Sequence, residues 1–192
     1  MNIIQIGCNL CDDEVFNFVK NNQFEISNLL IVDALPKCIE IAKEKYSFIK
    51  EKTQFINCAI GTESKIIDFF YPKNEETSAH ASIFEKHVKR HFHEDVEKLS
   101  IECFEINDFL EKYFYENIDL FAIDIEGMDV DVLLKLDLNK FDVSNIIYEF
   151  THSDDTFSIG RKHQLLIEKL NNLEYSYQQI TEHNILATKN AE

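Results

Sequence analysis

Short, uninterrupted apolar runs recur along this chain, each followed by a stretch of helical period. The runs are "NIIQIG" (2–7), "NLLIVD" (28–33), "TQFINCAIG" (53–61), "IDLFAID" (118–124) and "VSNIIYEF" (143–150). A strand that is apolar on both faces must be covered on both, and helices between such strands supply the cover. The helical stretches are "DDEVFNFVKNN", with acids in its first turn, "PKCIEIAKEKYSFIK" (36–50), opening on Pro36, "DVDVLLKL" and "RKHQLLIEKLNNL" (161–173). The pattern predicts an α/β fold: a doubly wound, mostly parallel sheet of the Rossmann-like kind. At the end, "YSYQQIT" and "NILATK" are separated only by "EH". That is too short for a helical crossover, so this pair is antiparallel and the last strand reversed.

Between residues 62 and 117 the pattern changes. "KIIDFFYP" and "KLSIECFEI" read as two further strands, joined by the long polar segment "NEETSAHASIFEKHVKRHFHEDVEK". Connections of that length inside a domain are commonly lids or substrate loops. The expectation is one domain over residues 1–192 with an inserted hairpin and lid at about 62–117. A chain of 192 residues that is 45% hydrophobic, with sixteen Phe and few Gly or Pro, can bury a core sufficient for that.

A formal net charge of −16 argues against nucleic acid, whose phosphates need clustered Lys and Arg. The densest basic stretch, "FEKHVKRHFHEDVEK", carries as many acids as Lys plus Arg and reads as a solvated face. Of five cysteines, Cys8 and Cys11 have CxxC spacing, but no second pair follows at zinc-site distance. Buried reduced thiols are the expectation. There is no signal-peptide pattern and no apolar run near the roughly 20 residues of a membrane span. A soluble, cytoplasmic protein is expected; oligomeric state is not legible.

In an open parallel sheet, ligands bind beyond the carboxyl ends of the strands, near the point where strand order reverses. Gly7 and Asn9 follow the first run, Asp33 the second, and Asn57 to Ala59 lie around the third. Asp124 and Glu126 follow the fourth, Glu149 and His152 the fifth. Three strands thus end in carboxylates on one edge. Asp33 stands where an acid accepts hydrogen bonds from ribose hydroxyls. The single glycine of "IGCNLCDD" counts against a pyrophosphate-bearing dinucleotide, whereas a nucleoside cofactor needs less of that loop.

These residues resemble those of the S-adenosylmethionine-dependent methyltransferases of the FkbM type. "IIQIGCNLCDD" is similar to the family's opening "vDvGAniGdyt", and "LIVDALPKCIEIAKE" to its acidic "EPnP" segment with the following helix. "INCAIGTESKIIDFFYP" resembles "nnAvGdrdGevtFy", and "SIECFEINDFL" resembles "vpvttLDdl". "IDLFAIDIEGMDVDVL" against "iDllKiDvEGaElevL" is the strongest match. The resemblance implies transfer of a methyl group from S-adenosylmethionine, typically to an oxygen of a sugar or natural product. It implies that Gly7 and Asn9 form the loop beside the methionine moiety, Asp33 holds the ribose, Ala59 borders the adenine and Asp124 faces the methionine end or the acceptor. The chain departs from the pattern at Gln5 (usually an acid), Cys11 (a glycine), Asn107 (Asp) and Ala122 (Lys).

An acceptor hydroxyl needs a base or a metal near it. Glu126, Glu149 and His152 are the candidate catalytic residues, with His80 of the presumed lid as a further one. A divalent ion on Asp124 and Glu126 is chemically reasonable, but direct contact with cofactor or substrate is the simpler expectation, and no metal ligand is assigned. Two other readings stay open: a non-catalytic module with an eroded cofactor loop, and a nicotinamide-dependent oxidoreductase, disfavoured by the single glycine.

Overall fold

The computed structural model describes residues 1–91, 95–114, 117–151 and 160–190. Its strands are β1 (Asn2–Ile6), β2 (Asn28–Asp33), β3 (Thr53–Asn57), β4 (Ala59–Gly61), β5 (Lys65–Pro72), β6 (Val96–Glu105), β7 (Leu120–Ile123), β8 (Asn145–Glu149), β9 (Tyr175–Gln179) and β10 (Asn184–Lys189). Its helices are α1 (Glu14–Asn21), α2 (Pro36–Lys45), α3 (Glu85–His91), α4 (Ile106–Tyr113), α5 (Asp129–Lys135) and α6 (Arg161–Asn172).

The period-2 alternation of a strand explains why the central runs are apolar throughout. Ile4 and Ile6 of β1 and Leu30 and Val32 of β2 point to one face, against Phe109 of α4, Leu133 of α5 and Leu166 of α6. Ile3, Leu29 and Ile31 point to the other, against Val15 and Val19 of α1 and Ile39 and Ala42 of α2. Each such Ile, Leu or Val contributes roughly 1.5–3 kcal/mol on leaving water. Helix starts follow local chemistry. Asp13 caps α1 by accepting the Phe16 N–H at 2.8 Å, Pro36 occupies the first turn of α2, and Glu105 accepts two N–H groups at the start of α4.

The seven-stranded sheet has the order β3-β2-β1-β7-β8-β10-β9. All neighbours run parallel except β10, which is antiparallel to both β8 and β9. The reversed last strand implied by the two-residue "EH" connection is therefore present, inserted between β8 and β9. Chain order turns back at β1, since β2 and β3 lie to one side of it and β7 and β8 to the other. Among the described residues no helix is long and apolar enough to cross a membrane.

Two expectations are corrected. The run 53–61 is not one strand. It breaks at Cys58, whose N–H bonds the Asp33 carbonyl at 3.2 Å, and its second half leaves the main sheet. There β4 joins the β5–β6 hairpin in a three-stranded sheet of order β4-β6-β5. Nor is the basic stretch wholly solvated. Glu85, Lys86, Lys89 and Arg90 face water, but His87 and Val88 of α3 are buried, because the one-turn period of the helix turns these two inward.

Candidate functional site

The reversal of strand order leaves a crevice between the carboxyl ends of β1 and β7, as it must in an open α/β sheet. A cavity of about 240 Å³ opens there. Gly7, Asn9, Asp33, Ala59 and Asp124 all line it, together with Glu126, Asp12 and Asp13. Ser78, Ala79, Ala81 and Ile83, from the segment between β5 and α3, line it as well. The inserted segment thus covers a crevice built by the main sheet.

Gly7 is required by a close approach. Its φ is +78°, and a β-carbon there would lie 1.7 Å from the Asp124 carbonyl oxygen. The backbone beyond it carries two further left-handed residues, Asn9 (φ +41°) and Cys11 (φ +50°). Asp33 holds this loop in place. One carboxylate oxygen accepts the N–H groups of Cys8 (2.9 Å) and Asn9 (3.0 Å), and the other accepts that of Leu35 (2.9 Å). Burial pushes the Asp33 carboxyl up, and those three N–H donors pull against it. The Cys8 thiol is a fourth, weaker donor to this carboxylate.

The residues after β7 form an acidic rim. Glu126 has φ +55° and Gly127 φ +107°, a sharp turn braced by Asp129, which accepts the N–H groups of Ile125 (3.1 Å) and Gly127 (3.4 Å). Asp124 is accessible from the cavity, yet protein surrounds it closely. Burial is the largest reason its carboxyl is held well above the usual carboxylate range, followed by the charges of Glu126 and Glu149. Carboxylate oxygens of Asp124, Glu126 and Glu149 lie within 4.8 Å of one another. Burial, then the charge of Asp124, pushes the Asp129 carboxyl up in the same direction.

The covering segment is tied to this rim. The Ser82 hydroxyl donates to the Glu126 carbonyl at 2.9 Å, and His87 Nε2 lies 3.1 Å from Glu126 Oε2. Ser82 also pairs with Phe70 of β5 through two backbone bonds, N–H to carbonyl in both directions, so the cover is anchored on both sides.

Of the candidate catalytic residues, Glu126 lines the cavity. Glu149 does not, and reaches it through Asp124. His152 lies outside the described residues. Asp129, Ser82 and His87 were not singled out from the sequence. Asp129 was visible as a first-turn acid in "DIEGMD", whereas nothing local marks Ser82 or His87. All five cysteines are free and buried. Burial drives the Cys58 thiol up to about 12, and a hydrogen bond with Cys11, then burial, raises that of Cys8. Such thiols are poor nucleophiles.

A doubly wound sheet with one reversed strand and a covered crevice at its switch point defines a Rossmann-like protein of the class I methyltransferase type. The chain belongs to the FkbM methyltransferase family: the methyltransferase FkbM domain matches residues 6–177. Its fold is similar to that of the methyltransferase FkbM from Methylobacillus flagellatus KT, with TM-score 0.57 and 10% identity, over 97% of this chain and 43% of that one. A weaker similarity, TM-score 0.46 and 14% identity, is to TrmK of M. capricolum in complex with S-adenosyl-homocysteine, over 98% of this chain and 60% of that one. The chain therefore spans less than two thirds of either structure's length. No curated protein matches the sequence.

Two of the departures from the family pattern face each other. Gln5 on β1 and Ala122 on β7 are in register on adjacent parallel strands. The positions where the pattern has an acid and a Lys are thus both neutral here. The Gln5 amide donates to Asp13 at 2.6 Å, and its carbonyl accepts the Tyr46 hydroxyl at 3.0 Å. An ionised acid could not donate to Asp13. A third departure, Asn107, is structural too: its side-chain oxygen accepts the Asp137 N–H at 2.8 Å and its amide reaches the Lys135 carbonyl at 3.2 Å, tying α4 to the end of α5.

Proposed function

We propose that this chain is an S-adenosylmethionine-dependent methyltransferase acting on a hydroxyl of a sugar or another small-molecule acceptor. The observation that carries the reading is the single cavity on which Gly7, Asn9, Asp33, Ala59 and Asp124 converge. Family membership supports the methyl donor, and the resemblance described above supports the acceptor class.

The residues present fit such a donor. The side-chain oxygen of Asn9 is buried without a hydrogen-bond partner among the described residues, an acceptor suited to a ligand donor. The acids at the β7 end favour a cation, and the donor carries positive charge on its sulfonium and on its amino group. Asp33, at the β2 end, lines the cavity, and a ribose hydroxyl there would displace the weak Cys8 thiol donor.

When bound, S-adenosylmethionine supplies a methyl group on a sulfur that departs as a neutral thioether. This chain's part is to exclude water, align the acceptor oxygen and take its proton. Ser78, Ala79, Ala81 and Ile83 cover the crevice, and the positioning of two reactants in a dry site is a large share of such catalysis. The hydroxyl proton passes to the group formed by Asp124, Glu126 and Glu149. Asp124, whose carboxyl burial holds well above the usual range, is the stronger base once ionised.

Mass spectrometry of the purified protein tests the reading first, by co-purified S-adenosylmethionine or its demethylated product. Titration calorimetry with S-adenosylmethionine follows. Asp33→Ala should weaken binding by more than about 1 kcal/mol through loss of a charge-assisted bond. Formation of the demethylated product with sugar acceptors, and a methyl on oxygen rather than nitrogen in the product, tests the acceptor class. Absence of S-adenosylmethionine binding would favour the non-catalytic module, for which Cys11 in place of a glycine is the supporting observation.

A further inference from the structure

The cover and the acidic rim meet at a second cluster. His80, from the covering segment, His87, from α3, and Glu126, from the turn after β7, each present a ligand atom, and these atoms lie within 4.8 Å of one another. His87 Nε2 and Glu126 Oε2 are already 3.1 Å apart. Two donors about 2.1 Å from a tetrahedral ion sit roughly 3.4 Å from each other. That pair therefore has ligand spacing as it stands, and His80, its ligand atom within 4.8 Å of both, would complete a set of three.

We propose that His80, His87 and Glu126 bind a zinc-type divalent cation that fastens the covering segment over the crevice. Two imidazoles with one carboxylate suit zinc and its transition-metal neighbours, whereas magnesium and calcium prefer all-oxygen sets. Three protein ligands leave a fourth position for water or for a substrate oxygen. Local charge favours the cation as well, because carboxylate oxygens of Asp124 and Glu149 lie within 4.8 Å of that of Glu126. The ion would join residues far apart in sequence, with Ser82 bonded to the Glu126 carbonyl beside it and Ser78, Ala79, Ala81 and Ile83 roofing the cavity. Glu126 also lines the donor crevice, so zinc uptake is measured in the absence of S-adenosylmethionine.

The test is zinc titration of the chelator-stripped full chain, followed by calorimetry and by thermal denaturation. Wild type should bind zinc with a stoichiometry of about one and melt higher with it. His80→Ala should weaken zinc binding about tenfold or more and lose the zinc-dependent rise in melting temperature. His87 is buried, so its replacement disturbs packing as well, and the discriminating comparison is His80→Ala against Asp124→Asn. Asp124→Asn, which removes a neighbouring charge but no ligand, should weaken zinc binding far less than His80→Ala does. A wild-type chain that takes up no zinc, a His80→Ala chain that binds it unchanged, or loss on Asp124→Asn instead would each overturn the assignment. Competition by millimolar magnesium would also overturn it, since that would locate the cation on the carboxylates alone.

Discussion

Gly7→Ala is the substitution whose effect the structure specifies most fully. The β-carbon it adds would stand 1.7 Å from the Asp124 carbonyl oxygen and 2.8 Å from its carbonyl carbon, both backbone atoms. Neither side yields cheaply. Gly7 donates its N–H to the Val32 carbonyl at 2.9 Å, and Asp124 donates its own to the Ile6 carbonyl at 2.9 Å, so each strand end is held by the ladder. Left-handed backbone costs a non-glycine residue about 1–2 kcal/mol. Parting the strands loses at least one ladder bond, about 1 kcal/mol, and overpacking adds about 1–3 kcal/mol. The sum is about 3–6 kcal/mol, a large share of the 5–15 kcal/mol typical of a folded domain. Urea denaturation measures it, and melting should fall by about 6 °C or more. Gly61→Ala is the control. Its β-carbon would meet only the Cys103 sulfur, at 2.9 Å, a side chain that can turn away, so the loss should be smaller. A Gly7→Ala loss below about 1 kcal/mol, or one no larger than that of Gly61→Ala, would show that β1 and β7 do not meet this closely.

Three other outcomes are expected. Asp124 binds its proton more tightly when folded, so its ionisation opposes folding as pH rises from the ordinary 3.8 through its raised value. Asp124→Asn should therefore melt higher than wild type at pH 8 and equal it near about pH 4; an unchanged difference across that range would refute the charge argument. Ser82→Ala removes the donor to the Glu126 carbonyl and the acceptor of the Phe84 N–H (3.2 Å) and should cost about 1–3 kcal/mol, read by chemical denaturation. Gln5→Glu places an acid against Asp13 in a buried site and should cost several kcal/mol, and adding Ala122→Lys should recover much of it by pairing across β1 and β7. A double-mutant cycle without favourable coupling would break that link.

The layered fold was legible because it rests on periodicity. Ile3 and Ile4 must face opposite ways, so a run with no polar face demands cover on both sides, and the length of "EH" forbids a crossover. The rim of Gly7, Asp33 and Asp124 was legible for the same reason, since strand ends and sheet topology locate a crevice without knowledge of any side-chain contact. The break at Cys58 was not. "TQFINCAIG" is uniformly strand-like, and its division depends on Asn57, which bonds the carbonyls of Asp33 and Ala34, and on pairing with β6 more than 40 residues away.

What the sequence determined by itself was the order of strands and helices, the edge on which the carboxylates gather and the family, all of which follow from local pattern. The tertiary structure alone decided that Asp33 accepts two backbone N–H groups of the loop after β1 and that Gln5 lies beside Ala122. It also decided that His87, in a stretch that reads as solvated, is buried against Glu126. These are contacts between residues 25, 117 and 39 positions apart. No local propensity encodes such contacts, because their free energy arises only when distant segments are packed together and cut off from water.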